Sequence, residues 1–143
     1  MTEAIISSRR LEAPRERVFS AFVDAEALAR WWGPEGFTND FEEFTPEPGG
    51  MWRFVMRSAE GDEFAMVKRF VEVLPSDRIV LDHLDPVHGF RMTMDLEEDG
   101  GGTFVTWRMD FESADEAERV RAFVVQANEQ NLDRLAAELE RSR

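Results

Sequence analysis

The segment DHLDPVHG holds both histidines of the chain, His83 and His88, beside two carboxylates, Asp82 and Asp85. Imidazole and carboxylate together can ligate a metal or move protons, so this is the first place to look for chemistry. A zinc site needs several such ligands converging at about 2.0–2.2 Å, and no third histidine exists to complete a common set. Pro86 and Gly89 mark a turn, which makes His88 the cap of a hairpin rather than a ligand. His83 has the parity of Ile79 and Leu81 and is expected to point inward, as a core or cavity-wall histidine, with general base as the alternative.

The remaining chemistry-bearing patterns are missing. The chain has no cysteine, which excludes disulfides, thiolate metal sites and cysteine nucleophiles. There is no G-x-S-x-G elbow, no glycine-rich phosphate loop after a strand, and no paired carboxylate motif on an inward face. The sequence therefore leans against an enzyme and calls for no metal and no organic cofactor. Lys68 is the single lysine among 17 basic residues, a bias read as composition. Its stem is expected along a rim and its head in water.

The stretch ALARWWGPEGF sets two of the four tryptophans side by side where a helical pattern meets Gly33 and Pro34. Successive helical residues diverge by about 100°, so Trp31 is expected to anchor the core and Trp32 to face a cavity or its mouth.

These residues need elements to position them. AIISSRRLEA (4–13) suits a strand, and Pro14 opens a helix whose face is Val18, Phe19, Phe22 and Val23. Asp24 caps a second short helix that runs to Trp32. From Gly36 to Phe111 the period is two: Trp52, Phe54 and Met56 alternate with Arg53, Val55 and Arg57, and EFAMVKRFVEVL, DRIVLDHL, FRMTMDLEE and TFVTWRMDF continue the pattern. The three-residue spacing of Phe41 and Phe44 predicts a bulge near Glu42–Glu43, and DGGG at 99–102 predicts a hairpin turn. Ser113 and Glu116 form a capping box for a last helix reaching about Glu140, with an apolar stripe of Val120, Val124, Ala127, Leu132, Leu135 and Leu139. Asn128 and Asn131 fall inside that stripe. Each is expected to bond to backbone or a buried water, or else to offer a polar handle to a cavity.

One α+β domain over residues 1–143 follows: a strand, two short helices, about six antiparallel strands and a long helix packed on a curved sheet. The net charge of −13 argues against a nucleic-acid surface, and no nucleic-acid partner is expected. No apolar run approaches the roughly 18 residues of a membrane span, and no signal-peptide pattern opens the chain, so a cytoplasmic location without a membrane partner is expected. Either a monomer or a homodimer fits.

APRERVFSAFVDAEALARWWGP, PGGMWRF, VEVLPSDRIVL and GGTFVTW occur in this order. Together they resemble the START-like (SRPBCC) helix-grip superfamily, in the branch related to the C-terminal domain of the activator of heat-shock protein 90 ATPase (AHSA-like). The resemblance covers nearly the whole chain. It implies a curved antiparallel sheet of about six or seven strands wrapped around the long C-terminal helix, two short helices after the first strand, and an apolar cavity between sheet and helix. Two positions depart from the family pattern: a frequent glycine is Lys68 here, and a Gly-Trp pair of the last helix is Ala127-Asn128, which leaves the cavity roomier and more polar. Tyrosine, a common acid of relatives' cavities, is absent.

The leading expectation is a small hydrophobic molecule bound in that cavity. The alternatives are a chaperone-cofactor-like domain, whose partner is a chaperone or other protein, and a cofactor-free cyclase- or hydrolase-like enzyme using the same cavity. Candidate ligand-binding residues are Trp32, Phe54, Met56, His83, Met92, Met94, Trp107, Met109, Asn128 and Asn131. The inward alternations could equally be plain core, but flexible methionines favour a plastic pocket.

Overall fold

The computed structural model describes residues 4–85 and 89–141, with the side chain of Asp85 left aside. His88, expected to cap a hairpin, lies outside the described residues. The chain runs β1 (Ala4–Leu11), α1 (Arg15–Val23), α2 (Ala25–Trp31), β2 (Thr38–Phe44), β3 (Met51–Arg57), β4 (Glu63–Leu74), β5 (Arg78–Asp85), β6 (Phe90–Asp99), β7 (Gly102–Phe111) and α3 (Ala114–Arg141). The seven strands form one curved antiparallel sheet in the order β1-β7-β6-β5-β4-β3-β2. Strands β2 to β7 are thus a meander. Only β1 is out of sequence, beside β7, because α1 and α2 carry the chain across the sheet before β2 begins.

Local chemistry sets the element ends. Asp24 Oδ1 accepts hydrogen bonds from the backbone N–H of Glu26 (3.0 Å) and Ala27 (3.3 Å), and so starts α2. Ser113 Oγ accepts from the N–H of Glu116 at 3.0 Å and starts α3. Gly100 and Gly101 both have positive φ, as a two-residue turn between strands requires, and Asp99 pairs with Gly102 across it. The β2–β3 register shifts between Phe41 and Glu43, at the expected bulge. Two further irregularities interrupt the β4–β5 pairing, between Val67 and Lys68 and between Phe70 and Glu72.

The core lies between one face of the sheet and the helices. Ile5, Leu96, Val105 and Trp107 from the sheet, Val18, Phe22 and Leu28 from α1 and α2, and Leu132, Leu135 and Leu139 from α3 are buried together. Ion pairs fasten the helix from outside: Arg9 of β1 reaches Glu129 (2.8 Å) and Asp133 (2.5 Å), and Arg30 makes a two-pronged contact with the buried Glu138. Among the described residues no helix is long and apolar enough to cross a membrane.

The two adjacent tryptophans are arranged differently from an ideal helical pair. Trp31 ends α2, whereas Trp32 is already extended, with φ −67° and ψ 138°. The 100° divergence therefore does not hold between them, and both rings converge on Trp107, at 6.4 and 5.4 Å between centroids. Trp31 Nε1 donates to the carbonyl of Ala21 at 2.9 Å, and its ring meets Phe22 edge-on at 4.9 Å. This ring ties α2 to α1. Trp31→Ala is expected to lower unfolding free energy by about 3–5 kcal/mol in urea titration, the cost of truncating a buried aromatic. A near-neutral result would remove its role as anchor.

Candidate functional site

The site is built outward from the loop after α2. Gly33 has φ +99°, a left-handed backbone that favours glycine, and it packs against the movable Met56 methyl. The long helix holds this loop. Asn131 Oδ1 accepts from Gly33 N–H and its Nδ2 donates to the Trp31 carbonyl, both at 3.2 Å. One turn on, the Arg134 guanidinium donates to the carbonyls of Arg30 (2.7 Å), Trp32 (3.0 Å), Gly33 (2.9 Å), Pro34 (2.8 Å) and Phe37 (3.0 Å). Asn131 is thereby committed to backbone. Asn128 is placed otherwise: its Nδ2 is 3.5 Å from Ser7 Oγ, the outer limit for an N–H···O contact, and 3.5 Å from Met109 Sδ, an ordinary distance to sulfur.

With the loop fixed, a pocket of about 390 Å³ remains between the sheet and the first half of α3. Trp32, Gly33, Pro34 and Phe37 close one side. The sheet contributes Met56, Phe64, Met66, Lys68, His83, Phe90, Met92, Trp107, Met109 and Phe111, and the helix contributes Val120, Phe123, Val124, Ala127, Asn128 and Asn131. Phe123 is 71% exposed and Phe64 is also exposed, so the opening lies beside them. A second depression, about 510 Å³, is bordered by Asp82, Arg91, Asp110 and Glu112. Its charges are largely paired, Arg91 with Asp82 at 2.8 Å and Arg108 with Asp110 at 2.9 Å, which leaves it little to offer a ligand.

Eight of the ten candidate residues border the one pocket: Trp32, Met56, His83, Met92, Trp107, Met109, Asn128 and Asn131. Phe54 and Met94 do not. Both are closed within the core, Phe54 stacked on Trp52 with centroids 4.4 Å apart. Parity assigns a residue to a face, but the pocket occupies only part of that face. Asp82 and His83 do not converge either: as neighbours on β5 they project to opposite faces, and Asp82 is engaged by Arg91 outside. Among the described residues no three His, Asp or Glu side chains come together as metal ligands would.

The residue that the sequence reading misplaced is Lys68. It is 2% exposed, with its head inside the pocket rather than in water. The register makes Lys68 and His83 direct cross-strand partners, and Nζ lies 3.0 Å from His83 Nδ1. An ammonium there donates to the Nδ1 lone pair when the ring proton is on Nε2; a neutral amine accepts from Nδ1–H in the other tautomer. Nζ also sits 5.7 Å from the Trp32 ring centre and 5.3 Å from that of Phe90, while the His83 ring stacks on Phe90 at 4.7 Å. Among the described residues Lys68 has no carboxylate partner. A signal for this existed: Met66, Lys68 and Phe70 share one parity, and Met66 and Phe70 are plainly inward types.

Burial pulls the Lys68 ammonium down to about 7 from an ordinary value near 10.5. Between those two values the unfolded chain binds a proton that the folded one does not, so stability rises with pH across that window. The other described side chains around the pocket, from Trp32 through Phe90 to Asn131, include only His83 as a second titratable group. The unfolding free energy of the wild type relative to Lys68→Met should increase by roughly 1.4 kcal/mol per pH unit from about pH 7.5 to 9.5. Parallel pH curves for the two proteins would show that the lysine head is not desolvated.

The family model described as activator of Hsp90 ATPase homolog 1-like protein matches residues 12–140. Among solved structures, a protein from Chromobacterium violaceum is 29% identical with a TM-score of 0.83, over 94% of this chain and 96% of that one. A protein from Nitrosomonas europaea is 19% identical (TM-score 0.88, 98% and 96% covered), and one from Arthrobacter aurescens 20% identical (TM-score 0.90, 99% and 91% covered). The last two likenesses concern the fold alone. Among curated proteins no match to this sequence is found.

Proposed function

The chain belongs to the activator of Hsp90 ATPase homolog 1-like family, and from that premise we propose that it binds a small hydrophobic molecule between its sheet and the first half of α3. The observation that carries this reading is the pocket itself. At about 390 Å³ it falls in the usual range for small-molecule sites, and its lining is apolar apart from Lys68, His83 and two amides. Apolar walls with a few polar groups are what a ligand of this class needs: area to bury and a small number of contacts to fix its orientation. Four of the walls are methionines, whose unbranched side chains adapt to irregular shapes.

The test uses the purified protein and N-phenyl-1-naphthylamine, a neutral probe that fluoresces in apolar surroundings. Stoichiometric, saturable uptake is expected. Val124 borders the pocket from α3 without being deeply buried, so Val124→Trp can fill the space from the helix side. That variant should fold with a nearly unchanged melting temperature and lose at least tenfold in probe affinity. Uptake that Val124→Trp leaves intact would place probe binding elsewhere. Absence of uptake, with no small molecule in a solvent extract by mass spectrometry, would overturn the reading.

A further inference from the structure

The pocket holds a buried cationic side chain with no anion beside it among the described residues. Lys68 enters from β4, its head stacked over by Trp32 and Phe90 and held at 3.0 Å by the imidazole of His83. Neither the ring faces nor the imidazole supplies a negative charge; they only partly replace the lost water of an ammonium. A ligand that places an anionic oxygen against Nζ would supply a counter-charge that no described residue brings to this buried head. Its remaining atoms would meet the apolar walls, such as Met92, Met109 and Val124.

We propose that the ligand of this pocket is an apolar monocarboxylate, its carboxylate paired with Lys68 Nζ and its hydrocarbon part against the methionine and aromatic walls. This rests on the binding function proposed above and names the ligand's chemical class. One cation matches one anionic group, and only Lys68 and His83 bring titratable charge to the described lining. A dianion would bury a surplus charge and an amine would face like charge, so both are disfavoured. An alcohol of equal length fills the same volume but leaves the ammonium unpaired. The preference for acid over alcohol is therefore the signature of the site. A carboxylate beside Nζ also favours the charged form of the lysine, so binding above neutral pH draws a proton from solution.

Isothermal titration calorimetry with decanoate, decanol and decylamine, at pH 8 and below any micelle-forming concentration, tests this. The wild type is expected to bind decanoate at least tenfold more tightly than decanol and not to bind decylamine measurably. The decanoate enthalpy should differ between phosphate and Tris in proportion to their ionisation enthalpies, which reports proton uptake. Lys68→Met keeps the length and removes the charge, so it should fold and lose both the acid preference and the proton uptake. Equal affinity for decanoate and decanol in the wild type overturns the proposal without recourse to any variant. So does an acid preference that survives in Lys68→Met. If neutral N-phenyl-1-naphthylamine binds and decanoate is not preferred, this inference fails alone; if neither neutral probe nor acid binds, the binding function itself fails with it.

Discussion

One guanidinium holds the loop that closes one side of the pocket. Arg134 gathers five carbonyl groups from Arg30 to Phe37, two of them in the stretch that closes α2, where the helix dipole favours a cation. With Asn131 binding Trp31 and Gly33, the long helix fixes the course of a loop that a seven-residue helix could not hold by itself. What depends on this is the position of Trp32. Its ring is stacked on Trp107 (5.4 Å, 24° between planes) and set edge-on to Trp52 (4.9 Å), so its other edge is available to border the pocket.

The same helix therefore does two jobs along its length. Leu132, Leu135 and Leu139, in its second half, are buried against the sheet and the short helices, in the densely packed part of the molecule. Val120, Val124 and Ala127, in its first half, are only partly buried and stand off the sheet across the pocket. The latch of Asn131 and Arg134 lies between the halves. An open first half alone would be a liability, since exposed apolar side chains such as Phe123 and Phe64 are left beside the opening.

Most of the architecture was legible in the sequence because period and punctuation agreed: strands alternate, Asp24 and Ser113 cap, the DGGG turn forms, and the bulge falls at Phe41–Glu43. The site was legible only as a face. Alternation names the inward residues of β3, β6 and β7, but it cannot say which end of that face stays open, so Phe54 and Met94 were grouped with Met56 and Met92. Trp32 was placed in a helix that stops one residue earlier. Lys68 was sent to solvent because a lone lysine usually goes there, although its parity with Met66 and Phe70 said otherwise; residue type outweighed pattern where the pattern was right. The β4–β5 irregularity that brackets Lys68 has no signature in the sequence. Tertiary pairing decides it.

The two departures from the family pattern belong to one physical arrangement. By the family resemblance Lys68 stands where a glycine is expected and Asn128 where a tryptophan is; the structure brings both to the lining of the same pocket. Adding a lysine to an inward strand position without removing anything would overfill a packed interior, and such insertions strain their neighbours. Replacing an indole by a short amide on the helix frees volume, which the structure leaves as pocket rather than as core. The exchange is close to neutral in bulk and far from neutral in polarity: an apolar ring is traded for a cation and an amide. A protein selected for stability alone gains nothing from such a trade, because burying the lysine head opposes folding at every pH below the ordinary lysine value near 10.5. An anion bound beside the lysine, as proposed above, would offset that cost. Perturbed ionisable groups collect at functional sites for that reason.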